Sequence, residues 1–241
     1  MSQELAEIWV YLAREPLAAL TATLLAWMAG LRLQQWSGRH PLANPVLIAV
    51  TLLAGGLLLS GIDYRAYFAV AQFVHFLLGP ATVALALPLY RQWRVVRRSF
   101  LAVVVSIVFG GMFSAASGVA LATLFGAASD VTASLAPKSV TTPVAMGVAE
   151  RLGGLPSLTA AVVICSGIVG ASLGPMVLTL CGVTDWRARG LAIGTVSHGI
   201  GTARALTVNP TAGAFSGLAM GLNALATAIL LPLLWHLILG T

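Results

Sequence analysis

Long stretches without a charged residue fill the chain, and short polar corners divide them. Pro16 to Leu31 is uncharged before Arg32 and Arg39, and Pro41 to Ile62 follows, closing at Asp63 and Arg65. Ala66 to Tyr90 is uncharged, interrupted at Gly79-Pro80, and ends in Arg91, Arg94, Arg97 and Arg98. Ser99 to Ser129 carries Gly110-Gly111 and closes on Asp130, while Leu152 to Thr184 repeats a Gly-Pro at Gly174-Pro175. Asp185, Arg187 and Arg189 form a polar corner, and Ala205 to Thr241 holds no Asp, Glu, Lys or Arg. Apolar runs of about 18 residues or more read as spanning helices, and the short alternation of an outer-membrane strand is absent. The pattern predicts an all-α polytopic integral membrane protein with about seven or eight hydrophobic helices.

Composition strengthens that prediction. Of 241 residues 59% are hydrophobic and 8% charged, where a soluble domain has about 25% charged, and the mean hydropathy is +0.94. Glu4, Glu7 and Glu15 stand where a signal peptide would be basic, so the first helix is expected in the mature protein. A net charge of +6 would suggest nucleic acid in a soluble chain; here it reflects basic cytoplasmic loops, with the 91–98 loop inside. Cys165 and Cys181 share one apolar run and read as small core hydrophobes, implying neither disulfide nor metal. Paired carboxylates, His/Cys metal spacing and a phosphate loop are missing from the sequence. The expectation is therefore no enzyme, no metal and no cofactor.

Within this apolar chain, Ala136-Pro-Lys-Ser-Val-Thr-Thr-Pro-Val144 stands out. Pro137 and Pro143 remove two backbone donors and disfavour helix before each, so a regular span breaks here. In hydrocarbon such a break is tolerated where protein buries it or water lines it, and a membrane-embedded Lys costs roughly 2.5–3.5 kcal/mol. Lys138, with Ser139, Thr141 and Thr142, is expected to face an interior binding site. The plainer alternative is a polar loop whose Lys138 snorkels to headgroups. Ser197-His-Gly-Ile-Gly-Thr-Ala-Arg204 suggests a second break, since Gly199 and Gly201 let the backbone unwind beside Thr202 and Arg204. His198 is a proton-coupling candidate or a hydrogen-bonded core histidine. Asn223 binds substrate or glues helices. His75 and His236 are assigned no role.

The two halves resemble one another. Asn44 to Gly56 aligns without gaps with Thr142 to Gly154 at an offset of 98, Leu78-Gly-Pro80 meets Leu173-Gly-Pro175, and Trp93-Arg94 meets Trp186-Arg187. Three spans between paired landmarks would insert the second copy upside down. The expected organisation is an N-terminal helix at 1–40 and two inverted repeats, 41–141 and 142–241, with broken helices near the midplane, as in secondary transporters. Arg187 and Arg189 would then lie outside, against the positive-inside tendency.

Several of these stretches together resemble the LrgB/CidB family of bacterial membrane proteins: Pro137 to Met146, Gly170 with Gly174-Pro175, Gly190 to Gly194, Ser197 to Ala203, and Gly217 to Asn223. The resemblance covers about residues 40 to 238. It implies a multi-pass protein of the bacterial cytoplasmic membrane. One implied role is a holin/antiholin-like modulator of murein hydrolase export and autolysis, acting beside a small LrgA/CidA-type partner. A related plant plastid protein is a glycolate/glycerate translocator, and bacterial members are linked to pyruvate and similar acids. Two broken helices carrying cations suit a proton-coupled carrier of small hydroxy- or keto-monocarboxylates better than a wide hole. Lys138 and Arg204, without an acid in helical reach, are expected to converge on one carboxylate. The expected partners are that substrate, the bilayer, the small membrane protein and a second copy in a homodimer.

Overall fold

The computed structural model describes residues 16–38, 43–76, 80, 83–84, 86–91 and 93–239, and these contain helices and no strand. The acidic amphipathic N-terminal end, Arg39, Pro41, Leu78 and Gly79 lie outside the described residues.

Residues 1–84 make one compact unit, with α1 (Pro16–Trp36), α2 (Pro45–Ser60) and α3 (Tyr64–Phe76). Asn44 starts α2 because its side-chain oxygen accepts from the amides of Val46 at 2.9 Å and Leu47 at 3.4 Å, ahead of Pro45 in the first turn. Gly61, at φ 66°, stops it in the left-handed conformation that glycine adopts without strain. Gly30 of α1 packs on Pro45, whose carbonyl oxygen lies 2.7 Å from where a Cβ would stand. The Thr23 and Tyr67 hydroxyls meet at 2.9 Å.

Residues 85–241 make the second unit. It holds α4 (Ala86–Arg91), α5 (Trp93–Arg98), α6 (Phe100–Leu124), α7 (Ser129–Leu135), α8 (Thr142–Arg151), α9 (Pro156–Leu180), α10 (Trp186–Val208) and α11 (Pro210–Leu239). Ala115, Ala133, Ala136, Val148, Leu231 and Trp235 join α6, α7, α8 and α11 in one apolar cluster. A second cluster sets Val96 of α5 and Val103 and Ile107 of α6 against Phe215 and Ala219 of α11. Between α10 and α11 the approach is closer still. A methyl group at Gly190 or Gly194 would overlap the backbone of Ala212 or Ser216, the small-on-small packing of helices in lipid.

Among the described residues, α1, α6, α9 and α11 are long and apolar enough to cross a membrane. The chain is an all-α polytopic membrane protein. Of the seven or eight hydrophobic helices expected, the others are short or interrupted: α2 has 16 residues, α7 and α8 are two pieces around a break, and α10 carries three arginines and a break of its own.

One expectation changes. Cys165 and Cys181 are free and exposed rather than part of the core. Helices apolar all round give no sequence signal of which side turns inward. The arginines at the polar corner have local structural work. Asp185 caps α10 through the Arg187 amide at 2.8 Å and pairs with the Arg187 guanidinium at 2.5 Å. Arg189 donates to the carbonyls of Val183 at 2.8 Å and Pro175 at 2.9 Å at the end of α9, where a cation complements the helix dipole. It also lies over the Trp186 ring at 5.4 Å.

The paired landmarks have local counterparts. Pro45 and Pro143 each stand in the first turn of a helix, α2 and α8, and Trp93 and Trp186 each open one, α5 and α10.

Candidate functional site

The first break lies where the prolines put it. Helix α7 ends at Leu135 and α8 begins at Thr142, with residues 136–139 in turns and Thr141 extended. The Lys138 amide bonds to the Leu135 carbonyl at 3.2 Å and that of Val140 to Pro137 at 3.3 Å. Ala136, Ser139 and Val140 are at most 2% exposed. Thr141 is extended before α8, and Thr142 is the first residue of α8; both are half-buried, and Thr141 makes no side-chain capping bond. Lys138 is half-buried, and its ammonium donates to the backbone carbonyl of Ser114 on α6. Gly118, one turn further along α6, leaves the space the ammonium occupies. Expected without a partner, Lys138 has a neutral one; among the described residues no carboxylate meets it.

The second break falls on His198. Its φ of 39° and ψ of −128° interrupt α10, and it is the one non-glycine residue with positive φ among the described residues. Such a conformation costs about 1–3 kcal/mol and persists where the surroundings hold it. Here Nε2 lies 3.0 Å from the Val163 carbonyl, so this nitrogen is the donor and carries hydrogen. Thr202 donates to the His198 carbonyl at 2.8 Å and meets the Ser216 hydroxyl at 2.9 Å. Gly167 of α9 makes room: a Cβ there would stand 2.7 Å from ring atoms Cε1 and Nε2. Gly170 does the same for Ser197, whose buried hydroxyl has no hydrogen-bond partner. Gly201 is buried, while Gly199 is half-buried with the Met220 sulfur 3.9 Å from its Cβ position. Arg204 is half-buried on the part of α10 beyond the break.

Asn223 of α11 ties the two breaks together. Its amide nitrogen donates to the carbonyl of Ser139 at 3.2 Å and to that of Thr195, three residues before His198, at 3.0 Å. Asn223 is 1% exposed, and its other amide atom, Oδ1, packs over Gly111 of α6, where any side chain would collide with it. The pair of carbonyls fixes the amide orientation, because a flip would set oxygen against oxygen. Of the two roles expected for Asn223, gluing helices is the one its contacts display.

Ser139, Asn223 and Thr195 thus form one cluster, and Ser197, His198, Gly201 and Thr202 another along the second break. Sequence reasoning missed Ser114, Thr195, Ser216 and Val163, all of which contribute backbone or shared hydroxyl contacts that no motif marks. Gly110-Gly111 was noticed without a purpose; Gly111 accommodates Asn223, and the methyl of Thr195 lies 3.5 Å from the Cβ position of Gly110. Between α6 and α10 lies a cavity of about 520 Å³, lined by Ser106, Gly110, Ser114 and Ser117 on one side and Ala192 and Thr195 on the other.

Two broken helices joined through a buried amide, inside a bundle of apolar spans, define a polytopic membrane protein with an internal polar centre. The chain belongs to the LrgB-like family, whose model matches residues 23–237. It is 36% identical to an uncharacterised protein of Haemophilus influenzae over 88% of this chain and 91% of that one. It is 33% identical to the holin-like protein CidB of Staphylococcus epidermidis, covering 81% and 85% of the two chains. With the holin-like protein CidB of Staphylococcus aureus the identity is 32%, over 91% and 96%. No solved structure matches the chain.

Proposed function

We propose that this chain is a holin-like protein of the bacterial cytoplasmic membrane that modulates murein hydrolase export and autolysis beside a small LrgA/CidA-like partner. The CidB names of its relatives favour that role. We propose further that it acts by carrying small hydroxy- or keto-monocarboxylates, glycolate, glycerate or pyruvate in type, instead of opening a wide hole. Moving a weak acid shifts proton balance across the membrane, which gives such transport a route to wall-lytic activity.

The observation that carries the transport reading is the Asn223 bridge between the two breaks. Discontinuous helices expose amides and carbonyls where a solute can bind, and a link between them lets one break respond to the other. A wide oligomeric hole needs neither feature. Lys138, within the first break, and Arg204, six residues beyond the second, are the candidates for holding the carboxylate; Ser139, Thr141, Thr142, Ser197 and Thr202 supply hydroxyls nearby in the chain. His198 is the proposed proton carrier, and a homodimer the proposed assembly. None of these roles requires bond-making chemistry, and the protein is proposed not to be an enzyme.

Lys138→Gln and Arg204→Gln test the shared-carboxylate part of this reading in proteoliposomes. Each is expected to reduce labelled glycolate uptake strongly without preventing insertion, and the double variant to be scarcely worse, because groups on one carboxylate are non-additive. Arg204→Lys restores little, since it lacks the bidentate fork. Losses that multiply, or a single variant with normal uptake, would remove that cation from the site.

A further inference from the structure

We infer that the cavity between α6 and α10 is the binding site for the carboxylate, and that Lys138, outside the lining, is stored beside it on the carbonyl of the lining residue Ser114 until the anion draws it off. This rests on the reading above that the chain carries small carboxylates, and it gives the anion to Lys138 and the cavity hydroxyls, since Arg204 does not line the cavity. The cavity's 520 Å³ lies within the usual range for small-molecule sites, about 300–1,000 Å³, with space for a two- or three-carbon acid and water. Its lining is largely apolar, with the hydroxyls of Ser106, Ser114, Ser117 and Thr195 set among Phe113, Leu191, Val196 and smaller side chains. That combination suits a short α-hydroxy or α-keto acid, whose α-oxygen takes a hydroxyl and whose carboxylate takes a cation.

The cation is at hand. Lys138 donates to the carbonyl of Ser114, itself a lining residue. Ser117, another lining residue, donates its hydroxyl to the same oxygen at 3.1 Å. In a regular helix that carbonyl already accepts the amide of Gly118. Three donors therefore share an oxygen with two lone pairs, so the ammonium leaves this acceptor at little cost. Asn223 holds the opposite wall in place through the Thr195 carbonyl, and the Thr195 hydroxyl, donating to Leu191 at 2.8 Å, keeps its own lone pairs available.

Gly118 supplies a test with a definite sign. A Cβ there would meet the stored ammonium and stand 3.3 Å from Lys138 Cε, so Gly118→Ala disfavours storage and frees the cation. Removing a competing state raises apparent affinity. Glycolate binding to the purified full chain in detergent, measured by calorimetry, is expected to tighten about threefold or more in Gly118→Ala. It is expected to weaken roughly tenfold to hundredfold in Lys138→Gln, and about threefold to tenfold in Ser117→Ala or Thr195→Val. A second measurement does not depend on affinity. Ser117→Cys, with Cys165 and Cys181 replaced by Ser, is expected to react with a small methanethiosulfonate more slowly when glycolate is present. Binding indifferent to Lys138→Gln, or labelling of Ser117→Cys unchanged by glycolate, overturns the location while saturable uptake would leave the transport reading standing. Weakening by Gly118→Ala comparable to Lys138→Gln overturns storage. No binding of glycolate or pyruvate to the wild-type chain overturns the whole inference.

Discussion

The side-chain amide of Asn223 donates to the Ser139 carbonyl at 3.2 Å across 84 positions of sequence. With the Thr195 bond beside it, one buried residue satisfies a carbonyl from each interrupted stretch. Asn223→Ala removes a donor from each, at about 0.5–1.5 kcal/mol per hydrogen bond. Asn223→Asp is expected to be worse, since a carboxylate has no donor and faces two oxygens. Gly111→Ala acts on the same contact from the other side, as its methyl group overlaps the amide oxygen. Thermal unfolding in detergent checks all three, and in the double variant Asn223→Ala should absorb most of the cost of Gly111→Ala. Independent, additive losses would show that Gly111 does not act through Asn223.

Asp185 governs the start of α10. The hydrogen bonds and charge of Arg187 hold its carboxyl down to about 2, against an ordinary value of 3.8. A depressed carboxylate stabilises above its unfolded pKa and loses that contribution as pH falls through the folded one. The Asp185 contribution should therefore be complete at neutral pH and fade between about 3.8 and 2. Asp185→Asn keeps the cap and should change stability little, because the ion pair is exposed. Asp185→Ala loses the cap, at about 1 kcal/mol. Unfolding midpoints measured from pH 7 down to pH 2 distinguish these; equal effects at neutral pH would show that the cap contributes nothing.

For His198, transport separates a proton carrier from a structural ring. His198→Gln is expected to flatten the pH dependence of glycolate accumulation while counterflow exchange continues, because exchange moves no net proton. Equal loss of both would assign the residue to the Val163 bond and the break alone.

The offset between the halves predicts opposite membrane sides for Arg94 and Arg187. Single cysteines at the two positions, in a background without Cys165 and Cys181, should label from opposite faces with an impermeant maleimide. Labelling from one face refutes the inverted arrangement.

Sequence made the first break legible because Pro137 and Pro143 stand six residues apart and each removes a backbone donor, whereas the lone Pro175 and Pro232 stay inside α9 and α11. The second break was expected from Gly199 and Gly201, yet it falls on His198, whose strained backbone is held by Val163 and Thr202. That support comes in part from 35 positions away, and local propensity carries no trace of it. Ser114 and Thr195 escaped notice for a related reason, since each serves through a main-chain carbonyl that every residue type possesses. The cysteines were misplaced because lipid-facing and inward-facing positions are equally apolar in these spans.

Proteoliposomes holding the purified chain, loaded with carboxyfluorescein and offered labelled glycolate, test selective carriage most directly. Saturable glycolate uptake, competed by unlabelled glycerate or pyruvate and accompanied by retained dye, is the expected result. Dye escaping together with non-saturable glycolate entry would contradict it and leave an open, holin-like hole as the chain's activity.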